Sequence, residues 1–293
     1  MIAPALRPGG VIGLCAPCQL PTREGYAPLL ATLRRRGFTV READNLYKDT
    51  DGYLATPRER AADFNQLIHD PAVEVIFFGG GEGGNELWPY LDYEYLKNHP
   101  KRVAGFSDGT YLVDVVWART GLVTYYGPTP GMFSDLRAYD WENFTLHLMG
   151  DAPRHIQDTP WRVLHGGSAE GVLMGGYARN IALMTGCDFF PPDRQQKYVI
   201  FLEDHEKFGG PAYVSSLLSW VEQSPLMPQV TGLLFGHYSV NVPDSLLSRL
   251  ARFGRDNGIP VIYTDDFGHG TRHAVLDVGR RVRLAEDGLT YMP

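Results

Sequence analysis

The stretch RVAGFSDGT, residues 102 to 110, decides how this chain is read. A short apolar run, Val103 and Ala104, breaks into Gly105-Phe106-Ser107-Asp108-Gly109, and the amphipathic run TYLVDVVWARTG follows at once. That order is strand, sharp turn, helix. Flanking glycines let a backbone turn tightly enough to leave a serine hydroxyl exposed above a sheet edge, which is the geometry of a nucleophile elbow. Ser107 is therefore the candidate nucleophile. The N–H of Asp108, at the helix N-terminus, would face an oxyanion formed at the carbon that Ser107 attacks. The bland reading of the same residues is a serine that merely caps a helix.

Working outward, the chain alternates. GVIGLCAP, FTVREAD, AVEVIFF, the elbow strand and LVTYYGP read as five strands, separated by helical runs such as REGYAPLLATLRRRG and TPRERAADFNQLIHD. Such alternation predicts a mostly parallel sheet with helices on both faces and functional loops at the strands' carboxyl ends. Residues 129–165 lack clean strand periodicity, and Pro, Asp and Gly interrupt them, so they read as a linker holding one helix, AYDWENFTLHLMG. From residue 166 a second alternation runs through AEGVLMGG, KYVIFLED, QVTGLLFG and PVIYTDD to a hairpin-like finish. The expectation is an N-terminal α/β nucleophile domain over 1–128, a linker, and a smaller mixed α/β domain over 166–293.

Composition narrows the function. The chain has 293 residues, 44% hydrophobic and 21% charged, with a net charge of -7. It lacks the basic footprint that phosphate-backbone binding needs, so nucleic acid is excluded as a partner. No apolar run approaches the roughly 20 residues of a membrane span, and the first residues lack the basic start of a secretory signal. No membrane partner and a cytoplasmic place are expected. Three cysteines argue against a disulfide framework and agree with a reducing compartment.

Other motifs compete for the chemistry. Gly79-Gly80-Gly81-Glu82-Gly83-Gly84 contains G-x-G-x-x-G after a strand, and Asp108 lies near the distance at which a dinucleotide fold places its ribose-binding acid. Against that, the glycines follow the third strand, and Pro89 interrupts the helix that should carry the pyrophosphate. The turn's N–H groups have a different use, as a second oxyanion donor beside the elbow, with Gly81 the candidate. Cys15-Ala16-Pro17-Cys18 matches C-x-x-C, but Pro21 sits where the helix of a redox site should be under way. Metal spacing is poor: His205-Glu206 has no second histidine at helical spacing, and His269 and His273 lie in a glycine-containing turn.

A serine nucleophile needs a histidine base oriented by a carboxylate. KYVIFLEDHE delivers Glu203 or Asp204 at a strand's end, and PVIYTDDFGHG delivers His269 between glycines. Side chains alternate along a strand, so only one of the two acids can reach the histidine. With the elbow they supply serine, acid and base at three strand ends.

Taken together, VIGLCAP, GGGEGGNELWPYLD, GFSDGT, TGLVTYYGP, GVLMGG, FLEDHE, GLLFGHY, PVIYTDDFGHG and VLDVGRRVRL resemble, in this order, the LD-carboxypeptidase family of serine peptidases, which includes muramoyltetrapeptide carboxypeptidases and microcin-immunity peptidases. The resemblance implies a flavodoxin-like parallel-sheet domain and a smaller C-terminal domain that meet at the active site. It selects Glu203 over Asp204, so that the triad is Ser107, Glu203 and His269, with no metal and no organic cofactor. The implied substrate is a small muropeptide that loses a terminal D-alanine; a homodimer is an admissible assembly.

Three departures bear on substrate preference. The family's R-G-G-Y-G turn is here Gly79-Gly80-Gly81-Glu82-Gly83, which places Glu82 near the nucleophile. The usual G-G-N-L is Gly175-Gly176-Tyr177-Ala178, and the usual L-P-I-G is Leu276-Asp277-Val278-Gly279. The cation that pairs with a substrate carboxylate is not marked by any motif; Arg179 and Arg272 are candidates. A microcin-immunity peptidase, for which Trp141 and Trp161 offer an aromatic platform, an α/β-hydrolase esterase and a non-enzymatic binding protein stay open beside the carboxypeptidase.

Overall fold

A computed structural model describes residues 1–293, apart from the side chain of Ser134. The chain divides into two compact units, Met1–Ala152 and Pro153–Pro293. The division falls inside the expected linker, and the two halves of that segment go to different units.

In the first unit, β1 (Val11–Leu14), α1 (Arg23–Arg35), β2 (Thr39–Glu42), α2 (Pro57–His69), β3 (Val73–Phe77), α3 (Tyr93–Asn98), β4 (Arg102–Gly105), α4 (Thr110–Thr120), β5 (Thr124–Tyr126) and α5 (Ala138–Leu148) follow one another. The strands lie in the order β5-β4-β3-β1-β2, and every one of these pairs is parallel. This is the doubly wound, flavodoxin-like order, whose ligands bind beyond the carboxyl ends of the strands where the order reverses. Local chemistry starts and stops the helices where the sequence places its signals. Thr56 and Glu59 form a reciprocal capping box at α2, with Pro57 at the first helical position, and Gly121 ends α4 at φ 71°. The expected linker helix is α5, which belongs to this unit.

The second unit contains β6 (Arg162–His165), β7 (Ser168–Tyr177), α6 (Ala178–Met184), β8 (Tyr198–Glu203), α7 (Pro211–Glu222), β9 (Val230–His237), α8 (Asp244–Asn257), β10 (Val261–Gly268), β11 (Leu276–Val278), β12 (Arg281–Ala285) and β13 (Gly288–Tyr291). Its sheet runs β13-β12-β7-β8-β9-β10-β6, parallel from β7 to β10 and antiparallel at both edges. Every residue of β8 is buried, as expected of a parallel strand covered on both faces. The strand β6 had no clean signal: its residues Arg162-Val163-Leu164-His165 are exposed or half-buried, and its partner β10 lies about a hundred positions further along the chain. Just before it, the fully buried Asp266 accepts hydrogen bonds from the N–H groups of Asp158 and Thr159, from Thr159 Oγ1 and from Trp161 Nε1, and so organises the tail of the expected linker.

One buried cation ties the first unit together. Arg102 opens β4, the strand that leads to Ser107, and is wholly buried. Its guanidinium donates to the carbonyls of Pro4 (3.0 Å), His147 (2.5 Å) and Gly150 (2.9 Å) and to Asp151 (2.7 Å). These bonds fasten both the N-terminal segment and the end of α5 to the central sheet. Arg102→Met should therefore lower the unfolding free energy by on the order of 3 kcal/mol, since several buried carbonyls lose a charged donor. Urea denaturation checks this, and a loss below about 1 kcal/mol would show that those carbonyls are satisfied some other way.

Candidate active site

Ser107 is the one non-glycine residue with positive φ among the described residues, at 56°. A left-handed backbone at an L-residue costs on the order of 1–3 kcal/mol, and it persists only where the surroundings enforce it. Here they do. The Ser107 N–H donates to Tyr126 Oη at 3.2 Å, Thr110 Oγ1 donates to the Ser107 carbonyl at 2.6 Å, and the Gly109 N–H donates to the Phe106 carbonyl at 2.9 Å. A Cβ on Gly105 would lie 2.1 Å from the ring of Phe78, so the turn can close this tightly only on a glycine.

The glycine-rich turn after β3 is bolted to the same place. A Cβ on Gly80 would stand 2.8 Å from Ser107 Oγ, which makes Gly80 the turn residue packed on Ser107. Gly81, the residue named from sequence, has φ 141°, and a Cβ there would collide with the Cys18 carbonyl. The Glu82 N–H donates to that carbonyl at 2.6 Å, while the Glu82 side chain lies in an exposed residue. Gly84 N–H donates to Asp108 Oδ2 at 2.8 Å, so Asp108 joins turn and elbow through its side chain as well as offering its N–H. Arg60, almost fully buried, donates to the carbonyls of Pro17 and Gly83 and pairs with Glu86. No motif marked Arg60; its only sequence signal is a charge on the apolar face of α2.

The rival motifs find other uses. The helix after the glycine turn is a 3₁₀ segment, Gly84–Tyr90, whose first N–H is the one taken by Asp108. Cys15 and Cys18 are free and buried; burial, with Asp63 beside Cys15 and Asp108 beside Cys18, pushes both thiols well above their usual range, away from the thiolate a redox site needs. Trp141 stacks on Phe144 and lies under Arg36, and Trp161 is bonded to Asp266. Among the described residues no group of three or more His, Cys, Asp or Glu is arranged to hold a metal ion.

In the second unit, Glu203 closes β8 and His269 follows β10. Glu203 Oε2 lies 2.7 Å from His269 Nδ1, and Glu203 is wholly buried. A carboxylate only accepts, so the proton of that bond sits on Nδ1, and Nε2 is the ring nitrogen not used by Glu203. Burial pulls the His269 imidazole toward its neutral form, but the charge and hydrogen bond of Glu203, with Asp204 adding to them, outweigh it and raise its pKa above the ordinary 6.5. Tyr177 and Phe208 pack around the ring at centroid distances of 5.5 and 5.0 Å. Asp204 does not bond His269: its Oδ1 accepts the His205 N–H at 2.7 Å, and its buried Oδ2 has no partner among the described residues. Burial, reinforced by the neighbouring Glu203 charge, drives the Asp204 carboxyl up to about 7 despite that hydrogen bond. Arg179 lies over the Tyr177 ring at 5.3 Å, and Arg272 is engaged in an ion pair with Asp158.

A serine strained at a strand-to-helix turn, in a chain that also buries a carboxylate against a histidine at other strand ends, is the equipment of a serine hydrolase. The chain belongs to the LD-carboxypeptidase family of peptidases: the family's N-terminal domain matches residues 12–127 and its C-terminal domain residues 170–284. Among its relatives, a Bacillus subtilis protein named as a probable murein peptide carboxypeptidase is 28% identical, with 96% of this chain and 90% of the relative covered. The microcin C7 self-immunity protein MccF of Escherichia coli is 25% identical over 98% of this chain and 93% of the relative. The crystal structure of an MccF-like protein from Bacillus anthracis shares the fold, with a TM-score of 0.89 at 23% identity, covering 99% of this chain and 98% of that one.

Two measurements test the site's physics. Ser107→Gly should leave the protein more stable than Ser107→Ala by about 1 kcal/mol, because glycine accepts positive φ without strain and alanine does not; equal denaturation midpoints would mean the backbone at 107 relaxes in the variants. Asp204 titrates near 7 when folded and near 4 when unfolded, so its contribution to stability is full below about pH 4 and is lost as pH rises through about 7. Asp204→Asn should flatten that part of the stability-against-pH curve, and an unchanged slope between pH 4 and 7 would contradict the assignment.

Proposed function

We propose that this peptidase is a serine LD-carboxypeptidase that removes a terminal D-alanine from a murein tetrapeptide in the cytoplasm. The observation that carries this reading is the 2.7 Å bond from Glu203 to His269 in a family member whose Ser107 sits on a strained elbow. Ser107 Oγ gives its proton to His269 Nε2 and attacks the carbonyl of the diamino acid that precedes D-alanine. The N–H groups of Gly81 and Asp108 receive the oxyanion. His269 then protonates the departing amine, and a water activated by the same histidine hydrolyses the acyl-enzyme. Glu203 keeps the imidazole in the correct tautomer and stabilises its charged form. Free thiols at Cys15, Cys18 and Cys187 fit a reducing compartment. No helix among the described residues is long and apolar enough to cross a membrane.

The relationship to a self-immunity protein supports a second reading, a peptidase that cleaves peptidyl-nucleotide analogues. Offering the protein a murein tetrapeptide, an aminoacyl-nucleotide analogue and a simple ester separates these readings and the esterase one by which substrate yields product. Ser107→Ala should remove roughly 10³-fold or more of kcat with the fold intact, because nucleophile and base act as a unit; near-normal turnover would end the serine mechanism. The base works only when neutral, so kcat/KM should rise with pH along a limb displaced above the ordinary histidine value of about 6.5. Glu203→Gln should move that limb downward and lower kcat by roughly 10²-fold or more, with Asp204→Asn costing much less. The reverse order of the two variants would make Asp204 the orienting acid.

A further inference from the structure

A second carboxylate-bound histidine lies beside the base in the same unit. His237, the last residue of β9, pairs in register with Gly268, the residue before His269. Its Nδ1 is 2.7 Å from Asp265 Oδ1, and Tyr263 Oη donates to the same oxygen at 2.8 Å. Burial pushes the Asp265 carboxyl up, yet those two bonds and the nearby charges of His237 and Arg162 hold it below its usual range. Asp265 is thus ionised and acceptor-only, which puts the proton on His237 Nδ1 and leaves Nε2 as the ring's open atom. Nε2 has no hydrogen-bond partner among the described residues, and the side chain is 13% exposed. A Cβ on Gly270 would stand 2.8 Å from the His237 ring, so the turn that carries the base is moulded to this second imidazole. His205 neighbours both, its ring 5.9 Å from His237 and 6.4 Å from His269. Its Nδ1 accepts the Lys207 N–H, so this neighbour presents N–H at Nε2.

The proposed reaction leaves one group of the substrate without a named partner. The residue released carries a free carboxylate, and its carboxyl carbon is two bonds from the nitrogen that His269 protonates. Of the two arginines marked from sequence, Arg272 is taken up by Asp158 and Arg179 lies against Tyr177. We propose that His237, oriented by Asp265, binds the free carboxylate of the residue being released. This rests on the carboxypeptidase reading above. With a proton on each ring nitrogen, His237 would keep its Nδ1–H on Asp265 and donate Nε2–H to the arriving carboxylate in a charge-assisted hydrogen bond.

The test compares wild type, His237→Gln and Lys207→Met on a murein tetrapeptide ending in D-alanine and on its C-terminal amide, with kcat and KM measured separately. Lys207, exposed on the neighbouring turn, is the rival cation. Wild type should prefer the free acid. In His237→Gln, KM for the acid should rise by roughly tenfold or more with a smaller change in kcat, and the acid-to-amide ratio of kcat/KM should fall toward one. Asp265→Asn should shift the ratio the same way, which keeps the test decisive if His237→Gln does not fold. A ratio preserved in both variants, an equal loss on both substrates, or a ratio abolished by Lys207→Met alone overturns the assignment. If wild type releases neither D-alanine from the acid nor D-alaninamide from the amide, the carboxypeptidase reading itself has failed; if it cleaves the acid and His237→Gln keeps the preference, only the carboxylate site has.

Discussion

The structure of the first unit turns on a backbone that should not be left-handed and is. Ser107 holds φ 56° only because a tyrosine hydroxyl, a threonine hydroxyl and a helix N-terminus each take one of its local polar groups or those of its neighbours. That demand propagates. Tyr126 must end β5 where its hydroxyl reaches the elbow, Gly105 must lack a side chain so that Phe78 can lie against the turn, and Gly80 must do the same for Ser107 itself. The strain is affordable because β4 enters from a strand anchored at its other end by the buried Arg102.

The second unit solves a different problem, that of keeping several acids in an apolar sheet. Glu203, Asp204 and Asp266 are all wholly buried, and a buried polar group needs hydrogen-bond partners in place of water. Their surroundings give three answers. Asp266 is surrounded by donors and held down to about 2. Glu203 is matched to an imidazole. Asp204 has one N–H for two oxygens and rises to about 7. Neighbouring residues on one strand end thus have different partners, an imidazole for Glu203 and a single backbone N–H for Asp204.

Much of this was readable in the chain. The order of strands and helices follows from runs such as VEVIF and YVIFLE between capped helices, because parallel strands covered on both faces must be continuously apolar. The elbow was legible because a strand, two glycines, a serine and a helix leave few backbone solutions. Less visible was β6, which has little apolar content of its own and is a strand only because β10 offers it an edge. Arg60 and His237 were equally silent: a charge within a helix and a histidine at a strand end are common, and their partners come from distant positions.

The sequence by itself determined the alternation of elements and the positions at which serine, acid and histidine follow strands, because these depend on periodicity and turn chemistry within a few residues; the family resemblance rests on motif blocks that recur in order along nearly the whole chain. Only the tertiary structure decided the hydrogen bond in which Glu203 accepts from His269, which glycine lies on Ser107, and which side chains have open nitrogens. Hydrogen bonding is set by distances of a few tenths of an ångström between residues separated by dozens of positions, and no local pattern encodes those.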